Sequence, residues 1–325
     1  MSGSGLPYRL RPNKYVDREL FAELVSVAVA REGADKYAYL SMGGRHLSDH
    51  LAVLRRAGLT KFVSFDIDPN VVARQRFNAV LPTSICETLH SGELPSKIQD
   101  FLERLGSDRA IVWLDYTEPK RRAQLKEVDA LAAVLQPGDM LRVTLNAEFA
   151  TLERKREAQL TPAQKELPME RKRAVILKKE LNDYVPGSIE QISNDDIGVA
   201  LARCVGRACE MGIRNSGANR VAVPILLTDY TDTTRMVTVT VLFANEADDD
   251  IFGLRGWVHT ARDWSNVERL TIPDFSPRER HALDMVERNE GATLNDTLGF
   301  DFDPADVATY RRFRRFFPLF QSVSD

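Results

Sequence analysis

The sequence predicts an α/β protein: a doubly wound, mostly parallel sheet with a C-terminal antiparallel hairpin and helical additions. Three observations carry that prediction. Short apolar runs at Tyr37–Ser41, Phe62–Asp66 and Ala110–Leu114 are too brief for helices, and each is followed by a glycine turn or a carboxylate. Between them lie stretches with helical apolar spacing, such as Leu47, Leu51 and Leu54, or Leu125, Val128, Leu131 and Val134. Near residues 221–243 two β-rich runs flank a polar turn, the mark of a hairpin. Strands buried on both faces read as continuous hydrophobic runs, and their alternation with helices is the sequence form of a doubly wound sheet.

Composition narrows the class. A chain of 325 residues holds one large domain with additions, or two domains. With 43% hydrophobic and 28% charged residues it reads as an ordinary globular protein. A net charge of −3 makes no global case for nucleic acid or anionic membrane, which leaves local basic segments as the only such candidates. Cys86, Cys204 and Cys209 form no CxxC pair, so buried free thiols are expected, with no metal site. The polar start Met1–Gly5 has no apolar core, and no run approaches the ~20 apolar residues that span a bilayer. A cytoplasmic protein without membrane partners is the expectation.

In chain order, residues 1–13 read as a tail. Asp17 reads as an N-cap for a helix carrying Leu20, Phe21, Leu24, Val25 and Ala28 on one stripe. Arg9, Arg11, Lys14 and Tyr15 form a basic-aromatic cluster, either a solvated helix entry or a closure over an anionic or aromatic ligand. A first strand–turn–helix unit spans Tyr37 to Gly58, and helices are expected at 70–78, 96–105, 121–135 and 195–211. Further strands are expected at Ser84–Glu87 and Met140–Leu145. Between Thr151 and Leu181, nine Lys or Arg and five Asp or Glu crowd a segment with little apolar periodicity. It reads as a solvated helical insertion at about 151–185, with a lid or nucleic-acid contact as the alternative. Ser276-Pro277 reads as a helix start, and 303–320 as a final amphipathic helix that either lays its aromatics on the sheet with arginines outward or meets a phosphate backbone or RNA. The division expected is an N-terminal helical extension (1–34), a central domain (35–245) and a C-terminal helical extension (246–325).

The carboxylates at the strand ends carry the functional reading. Phe65-Asp66-Ile67-Asp68-Pro69 follows the second strand, Ser41-Met42-Gly43-Gly44 the first, and Asp115-Tyr116-Thr117-Glu118-Pro119 the fourth. Ligands of open α/β sheets bind outside the carboxyl ends of the strands, where strand order reverses, so these three segments should converge. Asp68 reads as an N-cap with Pro69 at the first helical position.

In this order the pieces resemble a class I, Rossmann-like, S-adenosylmethionine-dependent methyltransferase, over roughly residues 35–245. Gln136-Pro137-Gly138-Asp139 is similar to that family's turn into its fifth strand, and the late hairpin to its sixth and seventh strands. The resemblance implies that Asp66 holds the ribose hydroxyls, since a carboxylate accepts two hydrogen bonds from a vicinal diol. It implies cofactor contacts from Ser41, Met42, Gly43, Gly44, Ile67 and Asp115, and adenine contacts from Ser91 and Gly92. Asp115 and Tyr116 would face the methyl acceptor, Asp115 orienting or deprotonating it and Tyr116 stacking on it or on adenine. The acceptor, a small molecule or a nucleic acid, is not identified by any motif. The glycine turn departs from the family's acidic-x-Gly-x-Gly-x-Gly, which keeps a second reading open: a methyltransferase-like fold without catalysis, serving as a binding or interaction module. An NAD-dependent oxidoreductase is disfavoured, because no Gly-x-Gly-x-x-Gly is present.

Overall fold

The structure, a computed structural model, describes residues 11–152, 157–246, 253–288 and 300–317. Its strands are β1 Tyr37–Ser41, β2 Phe62–Asp66, β3 Ile85–Thr88, β4 Arg109–Asp115, β5 Met140–Asn146, β6 Val221–Thr231, β7 Arg235–Ala244 and β8 Glu268–Leu270. They form one sheet in the order β3-β2-β1-β4-β5-β7-β6-β8. Strands β1 to β5 run parallel, β7 lies antiparallel between β5 and β6, and β8 pairs parallel with β6. The expected sheet is the observed one. Edge strand β8 is an addition, three residues being too few to show a period.

The helices are α1 Pro12–Val29, α2 Ser48–Ala57, α3 Pro69–Phe77, α4 Leu94–Leu105, α5 Arg121–Val134, α6 Pro162–Lys165, α7 Met169–Leu181, α8 Ile197–Ser216, α9 Pro277–Arg288 and α10 Pro304–Phe313. Successive strand residues point to opposite faces. Tyr37, Tyr39, Phe62, Ile111 and Trp113 accordingly enter one buried cluster with α1 and α2, while Ala38, Leu40, Val63, Phe65, Val112 and Leu114 enter another with α4, α5 and α8. Strand order reverses between β1 and β4, and the helices change face there.

Helix α1 departs from the sequence reading in an instructive way. Asp17 is not a cap. The helix begins at Pro12, and Asp17 lies inside it with no exposed surface. A helix start leaves backbone N–H groups without partners, and here a distant carboxylate takes two of them: Asp232, in the β6–β7 turn, accepts from the Asn13 and Lys14 N–H groups at 3.2 and 3.0 Å. The Asn13 side chain also donates to Asp232 and to the Thr231 carbonyl. One turn further on, Asp17 Oδ1 meets Arg142 Nη2 of β5 at 2.6 Å and accepts from Thr228 Oγ1 at 2.5 Å. The Arg142 guanidinium, itself fully buried, lies over the rings of Phe21 and Trp113 at 4.6 and 4.7 Å and donates to Thr240 Oγ1. The helix is therefore pinned to the sheet by charge as well as by its apolar stripe.

The charged insertion is less solvated than its composition suggests. Leu160, Ala174, Ile176, Leu177 and Leu181 join Phe149 and Leu152 in the buried cluster on the α5–α8 face. Residues 153–156 lie outside the described part. At the other end, Ser276 and Glu279 hydrogen-bond reciprocally at the start of α9, as Ser-Pro there implied. Tyr310, Phe313, Phe316 and Phe317 are buried beside α1, and Arg312 and Arg315 turn outward to Glu268 and Glu23. Residues 318–320 of the expected last helix, with 1–10 of the expected tail and Arg9 of the basic cluster, lie outside the described residues.

Removing one partner of a buried ion pair strands the other charge, at about 3–5 kcal/mol. Asp17→Ala should lower unfolding free energy in urea by that amount, whereas replacing both Asp17 and Arg142 with apolar residues should recover most of it. A loss for the single variant no larger than the ~1 kcal/mol typical of an exposed pair would contradict this account.

Candidate functional site

The site lies at the carboxyl ends of β1, β2 and β4. Alternation decides which groups reach it. Ser41 shares its parity with Tyr37 and Tyr39, and Asp115 shares its own with Ile111 and Trp113, so both side chains point to the face that α1 and α2 cover.

After β1 the chain turns through Gly43 and Gly44 at φ of 59° and 53°, a left-handed conformation that side chains disfavour. A Cβ on Gly43 would also lie 2.5 Å from Leu47 Cδ2. The carbonyls of Met42 and Gly44 both accept from Gln75 Nε2 of α3, at 2.8 and 3.2 Å, which ties the turn to the helix after β2. Beneath the turn is a buried polar network. Ser41 Oγ lies 2.5 Å from Asp49 Oδ2 and 3.0 Å from His50 Nε2, and Tyr39 donates to the same Asp49 oxygen at 2.8 Å. Burial acts to raise the Asp49 pKa, but His50, the Ser41 and Tyr39 donors and Arg18 outweigh it and hold the carboxyl below its ordinary value. Burial pushes His50 down, with Asp49 opposing. The network therefore rests as carboxylate and neutral imidazole.

At the end of β2, Asp66 Oδ1 accepts from the Asp68 N–H at 2.9 Å. Burial, with a contribution from the Asp68 charge, raises its pKa, opposed by the backbone donors of Asp68 and Ile67. Such a carboxylate gains from further donors. Ile67 is 66% exposed beside it, and Asp68 caps α3 by accepting from the Asn70 N–H at 2.8 Å, as its place before Pro69 implied.

At the end of β4, Asp115 Oδ2 receives Lys14 Nζ at 2.8 Å, while its Oδ1 is buried without a hydrogen-bond partner. It does not cap α5, whose N-cap position is Lys120. A cavity of about 20 Å³ opens here at the switch point, lined by Lys14, Arg18, Gly43, Ser48, Asp49, Trp113 and Asp115. Lys14 and Arg18 sit one turn apart on α1. The basic cluster in the sequence was a signal for Lys14 and did not include Arg18.

Other expected residues lie elsewhere. Tyr116, one position on from Asp115, takes the opposite parity and is buried in the α4–α5 cluster, where it donates to Glu127. Burial, then the Glu127 charge, raises its pKa well above the ordinary value, and Ser91 contributes an opposing hydrogen bond. Ser91, also buried, and Gly92 form a single helical turn capped by His90 and Glu93. Tyr116, Ser91 and Gly92 thus make one group, and Gly43, Asp49 and Asp115 another. Arg121, which the sequence did not single out, is fully buried and locks the exit of β5: it donates to the Asn146 carbonyl, Asn146 Oδ1, the Glu148 carbonyl and Thr151 Oγ1 at 2.6–3.1 Å. Burial lowers its pKa to about 10.

A sheet of order 3-2-1-4-5-7-6 in which only the seventh strand is reversed, with a glycine turn after the first strand and a carboxylate after the second, defines a class I methyltransferase fold. The chain belongs to the family described as "Putative O-methyltransferase", whose model matches residues 6–325. No curated protein matches it. Among solved structures it is similar to a Thermobifida fusca YX protein titled a "putative methyltransferase" (18% identity, TM-score 0.30, 52% of this chain and 61% of that one). It is also similar to a 16S rRNA adenine N1-methyltransferase variant from Catenulisporales acidiphilia (12%, 0.34, 72% and 93%). A third is an O-methyltransferase family protein from Burkholderia thailandensis (12%, 0.32, 70% and 56%). The match spans less than two thirds of the first and third of these proteins, and at such TM-scores none bears on what this chain does.

The buried network has a pH signature. The folded His50 pKa lies below its ordinary 6.5, so the unfolded chain takes up a proton that the folded one refuses. Its contribution to stability is complete above pH 6.5 and is lost as pH falls below that. Asp139, which burial pushes up to about 6, acts with the opposite sign: it favours the folded state below its unfolded value of 3.8, a contribution lost as pH rises through 6. The informative comparison is therefore between proteins. Between pH 7.5 and 5.5, the thermal midpoint of the wild type should fall more than that of His50→Gln. Parallel curves would show that His50 is not held neutral.

Proposed function

We propose that the chain is an S-adenosylmethionine-dependent methyltransferase acting on a hydroxyl-bearing acceptor. The observation that supports it is the convergence, at one switch point, of a left-handed glycine turn, a buried carboxylate oxygen without a partner and a poorly solvated carboxylate at the neighbouring strand end. The residues fit that cofactor. Gly43 and Gly44 leave the backbone open to close approach, and Asp66 offers a diol two acceptor positions. The cofactor, when bound, supplies an electrophilic methyl group on sulfur.

What the protein contributes is placement. Methyl transfer needs the acceptor in line with the methyl group, and holding two reactants so recovers much of the barrier. The Gln75 brace fixes the turn, the Ser41–Asp49–His50 network fixes its floor, and the Arg121 clamp fixes the β5 exit next to Asp115. The hydroxyl acceptor follows the family's description, and both a small molecule and a nucleic acid meet it. The basic triplet Arg171, Lys172 and Arg173 offers phosphate contacts for the latter.

A second reading, the non-catalytic binding module, draws on one feature: the cavity as folded has room for about one water, with Lys14 across it. Calorimetric titration with S-adenosylhomocysteine and incubation with methyl-labelled cofactor and fractionated cell extract separate the readings. The enzyme reading expects binding, label transfer to an acceptor, and an Asp66→Ala variant that stays folded but binds about 1.5–3 kcal/mol more weakly. Binding without transfer in any fraction would favour the module. An unchanged dissociation constant in Asp66→Ala would remove Asp66 from the site.

A further inference from the structure

We infer that the first turns of α1 complete the site as a receptor for a zwitterion: Lys14 and Arg18 take the α-carboxylate of the cofactor's amino-acid end, and Asp115 takes its α-ammonium. The inference rests on the S-adenosylmethionine reading and adds a subsite from a part of the chain outside the strand–helix alternation. Around one cavity stand two cations, Lys14 and Arg18, and two carboxylates, Asp49 and Asp115, with Trp113 and Gly43 between them. Lys14 is 7% exposed and Arg18 6%, so neither is an ordinary surface base. Asp49 already accepts from Tyr39 and Ser41, whereas Asp115 Oδ1 is buried with no hydrogen-bond partner. An unpartnered buried carboxylate oxygen calls for a donor, and an ammonium group supplies three.

The arrangement also says how the head group enters. Lys14 Nζ rests on Asp115 Oδ2 at 2.8 Å, and the cavity beside it is water-sized. An incoming zwitterion brings a substitute for each partner: its carboxylate takes the Lys14 ammonium, and its own ammonium replaces Lys14 at Asp115. One ion pair becomes two without leaving a buried charge alone. A lone anion that drew Lys14 away would strand Asp115 and is disfavoured by that penalty. Lysine suits the exchange, being a point charge on a flexible stem. The backbone beneath it does not have to move, because Asp232 holds the Lys14 N–H at 3.0 Å.

The test compares two probes that share nucleoside and sulfur: S-adenosylhomocysteine, which carries the amino-acid end, and 5′-methylthioadenosine, which lacks it. Calorimetry on the full chain should show the wild type binding S-adenosylhomocysteine at least about tenfold more tightly than methylthioadenosine, the scale of a charge-assisted hydrogen bond. Lys14→Met and Asp115→Asn should each lose about tenfold on S-adenosylhomocysteine and stay within about twofold on methylthioadenosine. Lys14→Arg should recover most of the loss. Circular dichroism reports whether each variant folds, and retained methylthioadenosine binding reports an intact nucleoside site. Equal losses on both probes would overturn the inference by making Lys14 and Asp115 structural. Equal affinities of the wild type for the two probes would overturn it while leaving the cofactor reading in place. Binding of neither probe by the wild type would remove the cofactor reading, and this subsite with it.

Discussion

A guanidinium with no exposed surface sits in the middle of the sheet, and the placement of α1 depends on it. Arg142 cannot stay in that apolar layer without a counter-charge, since burying an isolated ion costs far more than a fold can spare. Asp17 supplies the counter-charge, and Phe21 and Trp113 supply π-faces on which the cation rests. Arg142 Nε and Asp17 Oδ2 lack hydrogen-bond partners, so charge and stacking hold the pair rather than a full set of hydrogen bonds. Once Asp17 is fixed over β5, the rest of α1 follows. Asn13 and Lys14 fall at the β6–β7 turn and meet Asp232, Lys14 reaches Asp115, and Arg18 faces the cavity. A single buried pair thus carries a helix from before the first strand into the wall of the site.

Much of the architecture was legible because strand burial writes itself as uninterrupted apolar runs. β1, β2, β4 and β5 were found within a residue or two, as were the caps Asp68 and Ser276, and the hairpin was found with its first strand running three residues past the expected Thr228. Asp17 was misread for a physical reason: a carboxylate before an apolar stripe is the usual look of an N-cap, and the residue that claims it stands on another element far along the chain. The cap that α1 does use, Asp232, is equally remote. The insertion was read as solvated because its charges are dense, while its buried residues are split between α7 and the segments before and after it, with none in α6.

The site divides along the same line. The placement of Gly43, Gly44, Asp66 and Asp115 at the carboxyl ends of β1, β2 and β4 was legible because each ends or follows a short apolar run. Tyr116 was grouped with Asp115 by adjacency, but strand alternation sends neighbours to opposite faces, and it joins Glu127 instead. Parity counted from Trp113 would have separated the two. Lys14 was visible as part of a basic cluster, though nothing local gave its partner. Arg121 and Asn146 left no signal, since a lysine- and arginine-rich helix start looks solvated until the β5 exit folds over it.

The central claim is that one cofactor site spans the β1–β4 switch point and α1. A crystal structure of the full chain with S-adenosylhomocysteine tests it most directly. The account predicts the nucleoside over the Gly43–Gly44 turn with its ribose hydroxyls on Asp66, and the amino-acid end between Lys14 and Asp115, whose mutual ion pair has opened. A ligand bound elsewhere, or one bound at the turn with the Lys14–Asp115 pair still closed, would contradict it.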